Sequence, residues 1–239
     1  CTITQNRLNE GQPNLTTVLK HLKPDLAVIV DGGSTDGSLG FLASLFPKVR
    51  ILERRFDGAF CDQRNVYLGL IEELADEGDL LVVSDTDEFL MPALLENLRG
   101  IAKTAYEQDA NLIRIRSRDI TLDKDGNVMS VSLSDFWKPL VALWERGGRY
   151  VGAGGRQIHE ELHFPSGRRF FDVNDQDGKY VYEHRKQFGI IWPRALRNFY
   201  LAGLGPDGVF ISYWPTFRKM FDTRGLTTWP EVEAYLQTG

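Results

Sequence analysis

Cysteine is scarce in this chain: its 239 residues include only Cys1 and Cys61. Two thiols make neither a disulfide framework nor a zinc ligand set, so a reducing, cytoplasmic setting is the default expectation. Long apolar runs are missing too. No stretch approaches the ~20 residues that cross a bilayer as a helix, so no transmembrane segment is expected. The amino half is short of positive charge. Residues 1–100 carry 9 Lys+Arg against 16 Asp+Glu, a balance of −7, whereas residues 101–239 carry 19 against 17, or +2. The first half therefore does not read as a nucleic-acid surface. Internal repeats, low-complexity tracts and obvious linkers are also lacking, which argues for one domain. Cys1 stands where a Met would open a chain, so a preceding segment is expected, and any targeting signal with it.

Apolar material is plentiful. With 42% hydrophobic and 11% aromatic residues, the chain can bury a sizeable core. Its first 120 residues alternate between strand-like and helix-like segments. "CTIT" reads as a short strand, and Asn14 as the cap of a helix with Leu15, Val18, Leu19 and Leu22 on one face. "LAVIV" (26–30) is a continuous apolar run, as expected of a strand covered on both faces. The turn "DGGSTDGS" (31–38) leads to a helix through Leu39, Leu42 and Leu45, and "VRILE" (49–53) is the next strand. A further helix is expected from Cys61 to Ala75, stopped by Gly78, and then a fourth strand in "DLLVVS" (79–84). Strands alternating with helices at this spacing imply right-handed crossovers and a mainly parallel sheet flanked by helices. Beyond residue 110 the texture changes. "NLIRIRSRDITL" alternates, "DKDGN" (123–127) reads as a hairpin turn and "VMSVSL" resumes strand character. Helices are expected at 189–203 and 214–222, and "TWPE" (228–231) resembles a capping box. The expectation is a single α/β domain, with a ligand-binding half (1–110) and a more irregular half (111–239).

Ligands of open parallel sheets bind outside the carboxyl ends of the strands. Two acidic turns lie at that edge, after "LAVIV" and after "DLLVVS". The second, "VVSDTDEFL" (82–90), crowds Asp85, Asp87 and Glu88 into four residues. Two unit charges about 4 Å apart repel by roughly 4 kcal/mol at a protein-like effective dielectric. In an extended segment Asp85 and Asp87 point the same way, and a hard divalent cation with oxygen ligands, Mg2+ or Mn2+, would relieve that repulsion.

"VIVDGGSTDGS", then "FDGAFCDQRNVYLGL", then "VVSDTDEFL" resembles, in order and spacing, the GT-A fold glycosyltransferases of the family 2 type. The resemblance covers roughly residues 2–92 and includes a degenerate "RLNEGQPNL". Further on, "YVGAGGRQIHEEL" and "YEHRK", with "RN" at 197–198, look like segments of a bacterial subgroup. The resemblance implies a GT-A fold with an acceptor-binding second half, and a metal-dependent, inverting transfer from a nucleoside-diphosphate sugar to a hydroxyl. It implies that Asp31 meets the nucleobase edge, that Arg64 helps to hold the nucleotide, and that Asp85 faces the ribose or the metal. Asp87 and His184 would ligate Mn2+ or Mg2+. The general base would be Glu160 or Glu161, since either glutamate of "HEEL" can align. The acceptor stays open among glycans, lipid-linked sugars, proteins and modified nucleic-acid bases.

Other readings compete. "HEELH" (159–163) fits the H-E-x-x-H zinc-peptidase pattern, with Glu183 as a third ligand. That chemistry needs a stable helix, which the glycines at 152, 154 and 155 and Pro165 oppose. A non-catalytic nucleotide-sugar binding module would share the donor motifs without a working base. A nucleotidyltransferase also uses metal-bound carboxylates, but it would show a glycine-rich loop with a basic residue near the amino end, and "TITQNRLNEGQ" is not that. Among the tryptophans, Trp137 and Trp144 are the candidates to stack on an acceptor.

Overall fold

A computed structural model describes residues 1–5, 8–45, 49–57, 59–86, 88–123, 127–152, 160–175 and 177–187, with residues 225, 231 and 234. The chain is mixed α/β. Strands β1 (Thr2–Thr4), β2 (Ala27–Asp31) and β3 (Val49–Glu53) alternate with helices α1 (Leu8–Leu22) and α2 (Ser38–Leu45), and α3 (Phe60–Leu74) follows. The three strands form a parallel sheet in the order β1-β2-β3, with Thr4 level with Asp31 and Asp31 level with Glu53. This is the parallel sheet flanked by helices that the alternation predicts. Val28, Ile29 and Val30 are at most 2% exposed, as a strand covered on both faces requires.

The second sheet is mixed. Strands β4 (Leu80–Val82), β5 (Glu88–Leu90), β6 (Leu112–Leu122), β7 (Val128–Leu143) and β11 (Tyr182–Gln187) lie in the order β4-β7-β6-β11-β5, and β10 (Phe170–Asp172) pairs with β6. Helix α4 (Pro92–Glu107) separates β5 from β6, and β8 (Arg149–Gly152) pairs with β9 (Glu160–His163) as a small antiparallel ribbon. The fourth strand departs from expectation: β4 pairs antiparallel with β7 rather than extending a parallel sheet through a ladder of its own. It still touches β1, because the Cys1 nitrogen donates to the Val82 carbonyl at 2.6 Å and the Ser84 N–H donates to the Cys1 carbonyl at 3.1 Å. Those two bonds stitch the sheets together and bring the residues after β4 to the carboxyl edge of β1.

Asn14 also departs from expectation. Helix α1 begins at Leu8, so Asn14 lies inside it rather than at its cap. It is fully buried, and its Nδ2 donates to the Asp85 carbonyl at 2.8 Å and to Ser84 Oγ at 3.3 Å. A buried amide finds polar partners wherever they are, and here they lie in the acidic turn. Strands β6 and β7 pair antiparallel across the predicted turn, and Asp123 N–H donates to the Asn127 carbonyl at 2.9 Å; residues 124–126 lie outside the described ones. The helices expected at 189–203 and 214–222, and the "TWPE" box, lie outside the described residues.

Two large apolar cores form among the described residues, beside a small cluster of Leu15 and Ile29. One gathers Leu94, Leu95 and Leu98 of α4 against Ile113, Ile115 and Val141 of β6 and β7. The other packs Tyr67, Leu68 and Ile71 of α3 on Val28 and Val30, and continues to Trp144, Tyr150 and Phe164. Trp144 is 2% exposed and meets the Phe164 ring edge-on at 6.0 Å, so it is a core residue rather than an acceptor platform. Gly148 is pinned against this pair. A Cβ there would stand 2.7 Å from Phe164 Cε1 and 2.8 Å from Trp144 Cζ3. Gly148→Ala is therefore expected to cost about 1–3 kcal/mol through overpacking, seen as a lower urea midpoint with an unchanged slope.

Candidate functional site

The carboxyl edge of β1–β3 opens on a cleft of about 580 Å³ lined by Gln5, Gly32, Gly33, Glu53, Arg54 and Arg55. Its shape begins with Asp31, the last residue of β2, which is 1% exposed. Asp31 Oδ2 accepts from the N–H groups of Gly33 at 2.8 Å and Ser34 at 2.7 Å, and Oδ1 accepts from Ser34 Oγ at 2.5 Å. This carboxylate holds its own turn in place, a common use of aspartate at chain reversals. Gly32 is needed because a Cβ would sit 3.1 Å from the Cβ atoms of both Gln5 and Phe56. Three chain segments meet there: Gly32 N–H donates to the Thr4 carbonyl and Phe56 N–H donates to the Gly32 carbonyl. Arg54 is tied to Asp57 and to Gln63 Oε1 at 2.7 Å. The side chain of Arg55 is exposed on the cleft wall.

Further along the same edge stands a cluster of charges. Cys61, Arg64, Tyr67, Leu68 and Ile71 recur at helical spacing on the buried face of α3, so Arg64 enters an apolar stripe as its one charged member. A guanidinium there must be paired. Its Nη2 donates to both oxygens of Asp85 at 2.8 and 2.9 Å, and its Nε donates to Glu160 Oε1 at 2.5 Å. The Tyr150 ring lies under it, 5.5 Å from guanidinium carbon to centroid. Lys138 of β7 completes the arrangement. Its Nζ donates to Asp85 Oδ2 at 2.8 Å and to Glu88 Oε1 at 2.5 Å, while the Asp85 N–H donates to Glu88 Oε2 at 3.1 Å. Burial works against the charges of Arg64, Asp85 and Lys138, and in these three the opposite charges outweigh it. The Asp85 carboxyl is held well below the usual carboxylate range by Arg64 and Lys138. Lys138 is pushed above the ordinary lysine value by Asp85 and Glu88, and Arg64 is raised chiefly by Asp85.

Of the residues singled out in the sequence, Arg64, Asp85 and Glu160 are thus brought into direct contact. Glu161 is not. Neighbouring residues of a strand face opposite ways, so Glu161 on β9 turns from the cluster to Arg168 Nη1 at 2.5 Å. It is also the more open of the two, with 41% of its side chain exposed against 13% for Glu160. His184 sits opposite Glu88 in the β11–β5 pairing and opposite Asp119 in the β11–β6 pairing, and its Nδ1 lies 3.8 Å from Asp119 Oδ1. Strand pairing therefore carries His184 to the cluster's flank from nearly a hundred residues away. Asp87 lies outside the described residues. Trp137 lies beneath Arg116, 5.6 Å from guanidinium carbon to ring centroid.

Sequence reasoning missed Lys138, Asn14 and Asp119. Lys138 had a signal: it is a lone cation inside the run "FWKPLVAL", where a buried strand position demands a counter-charge.

The expected divalent cation meets competition. Both Asp85 oxygens already hold Arg64 and Lys138, and among the described residues no group of three His, Cys, Asp or Glu side chains is placed to hold a metal ion. The described residues do not by themselves fit Mn2+ or Mg2+ at Asp85. The zinc-peptidase reading is corrected outright. Glu160–His163 is a strand, not a helix, so the segment lacks the helical turn that would set the two histidines of "HEELH" on one face; His159 itself lies outside the described residues. Glu183, its expected third ligand, is paired with Arg118 and Arg185 instead.

No protein-family model and no curated protein matches the chain. Solved structures do resemble it. S. aureus TarS shares 20% identity at a TM-score of 0.37, over 53% of this chain and 22% of that one. The 1–349 portion of TarS in complex with UDP-GlcNAc shares 14% at a TM-score of 0.48, over 86% of this chain and 66% of that one. A 4-diphosphocytidyl-2C-methyl-D-erythritol synthase shares 19% at 0.38, over 59% and 71%. The chain thus spans about two thirds or less of the TarS chains it resembles.

The charge cluster makes stability depend on pH in a definite direction. A carboxyl depressed on folding adds stability that is complete above its unfolded value, near 3.9, and drains away as pH falls through and below it. A lysine raised on folding adds stability that is complete below about pH 10 and is lost only above that. Unfolding free energy is therefore expected to fall steadily as the solution is acidified below about pH 5. Asp85→Asn is expected to be weaker at neutral pH by about 3–5 kcal/mol, because two buried cations lose a partner, and to show a shallower acid limb. Urea titrations across the acid range measure both, and an equally steep limb in the variant would remove Asp85 as its source.

Proposed function

We propose that this chain transfers a sugar from a nucleoside-diphosphate donor to an acceptor hydroxyl, with inversion at the transferred carbon. One observation carries the reading. A cleft of about 580 Å³ at the carboxyl ends of a parallel sheet shares its edge with a buried cluster of two cations and three carboxylates. Clefts of this size at this edge hold small ligands, and the motif order that resembles family 2 glycosyltransferases runs through both features.

The roles follow from position. The cleft, walled by the Asp31 turn, Gln5, Glu53 and Arg55, receives the nucleoside. Arg64 and Lys138 keep Asp85 ionised and aimed, so that its acceptor oxygens are fixed before a ligand arrives, which is the electrostatic preorganisation that transfer chemistry requires. Three carboxylates against two cations leave the cluster negative, and a diphosphate brought beside it needs further positive charge. Mn2+ or Mg2+ held at Asp87 and His184 would supply that charge; Asp85 is committed to its own cations. In the transfer, a carboxylate takes the proton of the acceptor hydroxyl as its oxygen bonds to the sugar carbon and the diphosphate leaves from the opposite face. Glu161 suits that task better than Glu160. Each has one oxygen held by an arginine, Glu161 by Arg168 and Glu160 by Arg64, but Glu161 is the more exposed, 41% against 13%, and Glu160, enclosed in the cluster, is read as a positioning residue.

Two measurements test this. Nucleoside diphosphates and their sugars, screened with Mn2+ and with a chelator, are expected to stabilise the chain. Ligand at 100 times its dissociation constant adds about 2.7 kcal/mol, and silence across the panel would end the reading. Glu161→Gln is expected to cut turnover by about 10²–10⁴-fold, the usual worth of a general base, with donor binding kept. Glu160→Gln is expected to lower stability and donor affinity together. The reverse pattern would make Glu160 the base, and unchanged turnover in both would leave a binding module.

A further inference from the structure

Strand β7 is 16 residues long, and β4 covers its outer edge at Val141, Ala142 and Leu143, with the Val83 N–H donating to the Leu140 carbonyl at 2.8 Å. Among the described residues no strand pairs with that edge from Val128 to Pro139. The inner edge pairs with β6 in unbroken register from Ser130 to Leu133, Val131 facing Ile120 and Ser132 facing Asp119. An open edge is a template for another strand, and proteins blunt it with lysines, prolines, bulges or inward charges. From 128 to 134 the sequence is "VMSVSLS", with no charge and no proline. Irregularity bounds this stretch on both sides: the register with β6 skips Met129, and it shifts again beyond Leu133, where Phe136 N–H turns to Ser134 Oγ, followed by Lys138 and Pro139. The side chains left outside are large and apolar: Val128 is 60% exposed, Met129 60%, Val131 58%, Leu133 39% and Phe136 61%.

We propose that this edge docks a second copy of the chain, two β7 strands pairing antiparallel about a two-fold axis through Val131. The pattern is self-complementary about that residue. Met129 falls opposite the partner's Leu133, Ser130 opposite the partner's Ser132, and Val131 opposite the partner's Val131, so apolar meets apolar and hydroxyl meets hydroxyl. An isologous contact requires such a match of a patch with itself, and cross-strand pairs of these kinds are favourable. Charge points the same way. The chain carries a net −5, and this uncharged stretch lets two copies approach without setting like charges against each other. The exposed parts of the five side chains and the strand between them offer on the order of 500 Å² per copy, or about 1,000 Å² in all, the lower limit for a specific interface. An axis perpendicular to the sheet has a further consequence: the face carrying Ser132, Asp119 and His184 lies on the same side in both copies, so the two candidate sites open to one side of a continuous sheet.

Sedimentation of the 239-residue chain over a concentration series tests the proposal. The unaltered chain is expected to pass from monomer to dimer, and Val131→Lys, which sets two ammonium groups face to face at the axis, to remain monomeric with the same melting temperature when dilute. The register has its own test. Met129→Lys with Leu133→Lys is expected to abolish the dimer, whereas Met129→Glu with Leu133→Lys sets opposite charges across the strand and is expected to restore it in a salt-sensitive form. A chain that stays monomeric throughout overturns the proposal. So does a dimer that Val131→Lys leaves intact, and loss of the dimer in both double variants overturns the antiparallel register.

Discussion

The guanidinium of Arg64 is the contact from which the candidate site is organised. Its helix needs an apolar face to pack on the first sheet, and Arg64 occupies that face between Cys61 and Tyr67. Removing such a charge from water costs several kcal/mol unless carboxylates meet it at close range with good geometry. Asp85 and Glu160 do so, from the end of β4 and from β9. The same carboxylate draws Lys138 from β7, and Lys138 draws Glu88 from β5. Asn14 of α1 holds the Asp85 carbonyl. Elements distant in the chain are thereby fixed around one turn, with an accuracy that apolar packing, being non-directional, would not supply.

This arrangement has a chemical consequence. The carboxylates of Asp85 and Glu88 do not wait in solvent for a cation from outside; the chain provides two of its own. Any ion or ligand that engages Asp85 must exchange against Arg64 or Lys138, and the cost of leaving either cation unpaired opposes that exchange. Asp31 follows the same logic on a smaller scale, with its carboxylate spent on the turn that frames the cleft. The acidic residues at this sheet edge are structural and chemical at once. Their first role is to shape the loops, and the exposed side chain of Arg55 stands on the cleft wall that this shaping leaves.

Much of the fold was legible because its signals are local. Apolar runs of strand length and leucines at helical spacing need only neighbouring residues to be read, and β2, β3, α3 and the β6–β7 hairpin stand close to where those patterns place them. Asn14 misled because a buried amide and a helix cap have the same composition in sequence, and only the tertiary partner distinguishes them. "HEELH" carries the same kind of ambiguity, although its flanking glycines and proline already spoke against a helix. The pattern names the residues that hold zinc on a helix, but backbone conformation decides whether four residues of separation mean one turn or about 13 Å.

The apolar runs by themselves determined that Asp31 and Asp85 follow the carboxyl ends of strands, and the order of the motifs singled out Arg64 and either Glu160 or Glu161 through the resemblance. Tertiary structure alone decided what each of them touches. Lys138 and Glu88 joined the cluster through contacts across fifty residues, Glu160 separated from Glu161 through the alternation of a strand, and among the described residues β4 is too short to cover the outer edge of β7. Contacts of that kind depend on register and distance between segments far apart in the chain, and no local pattern encodes either.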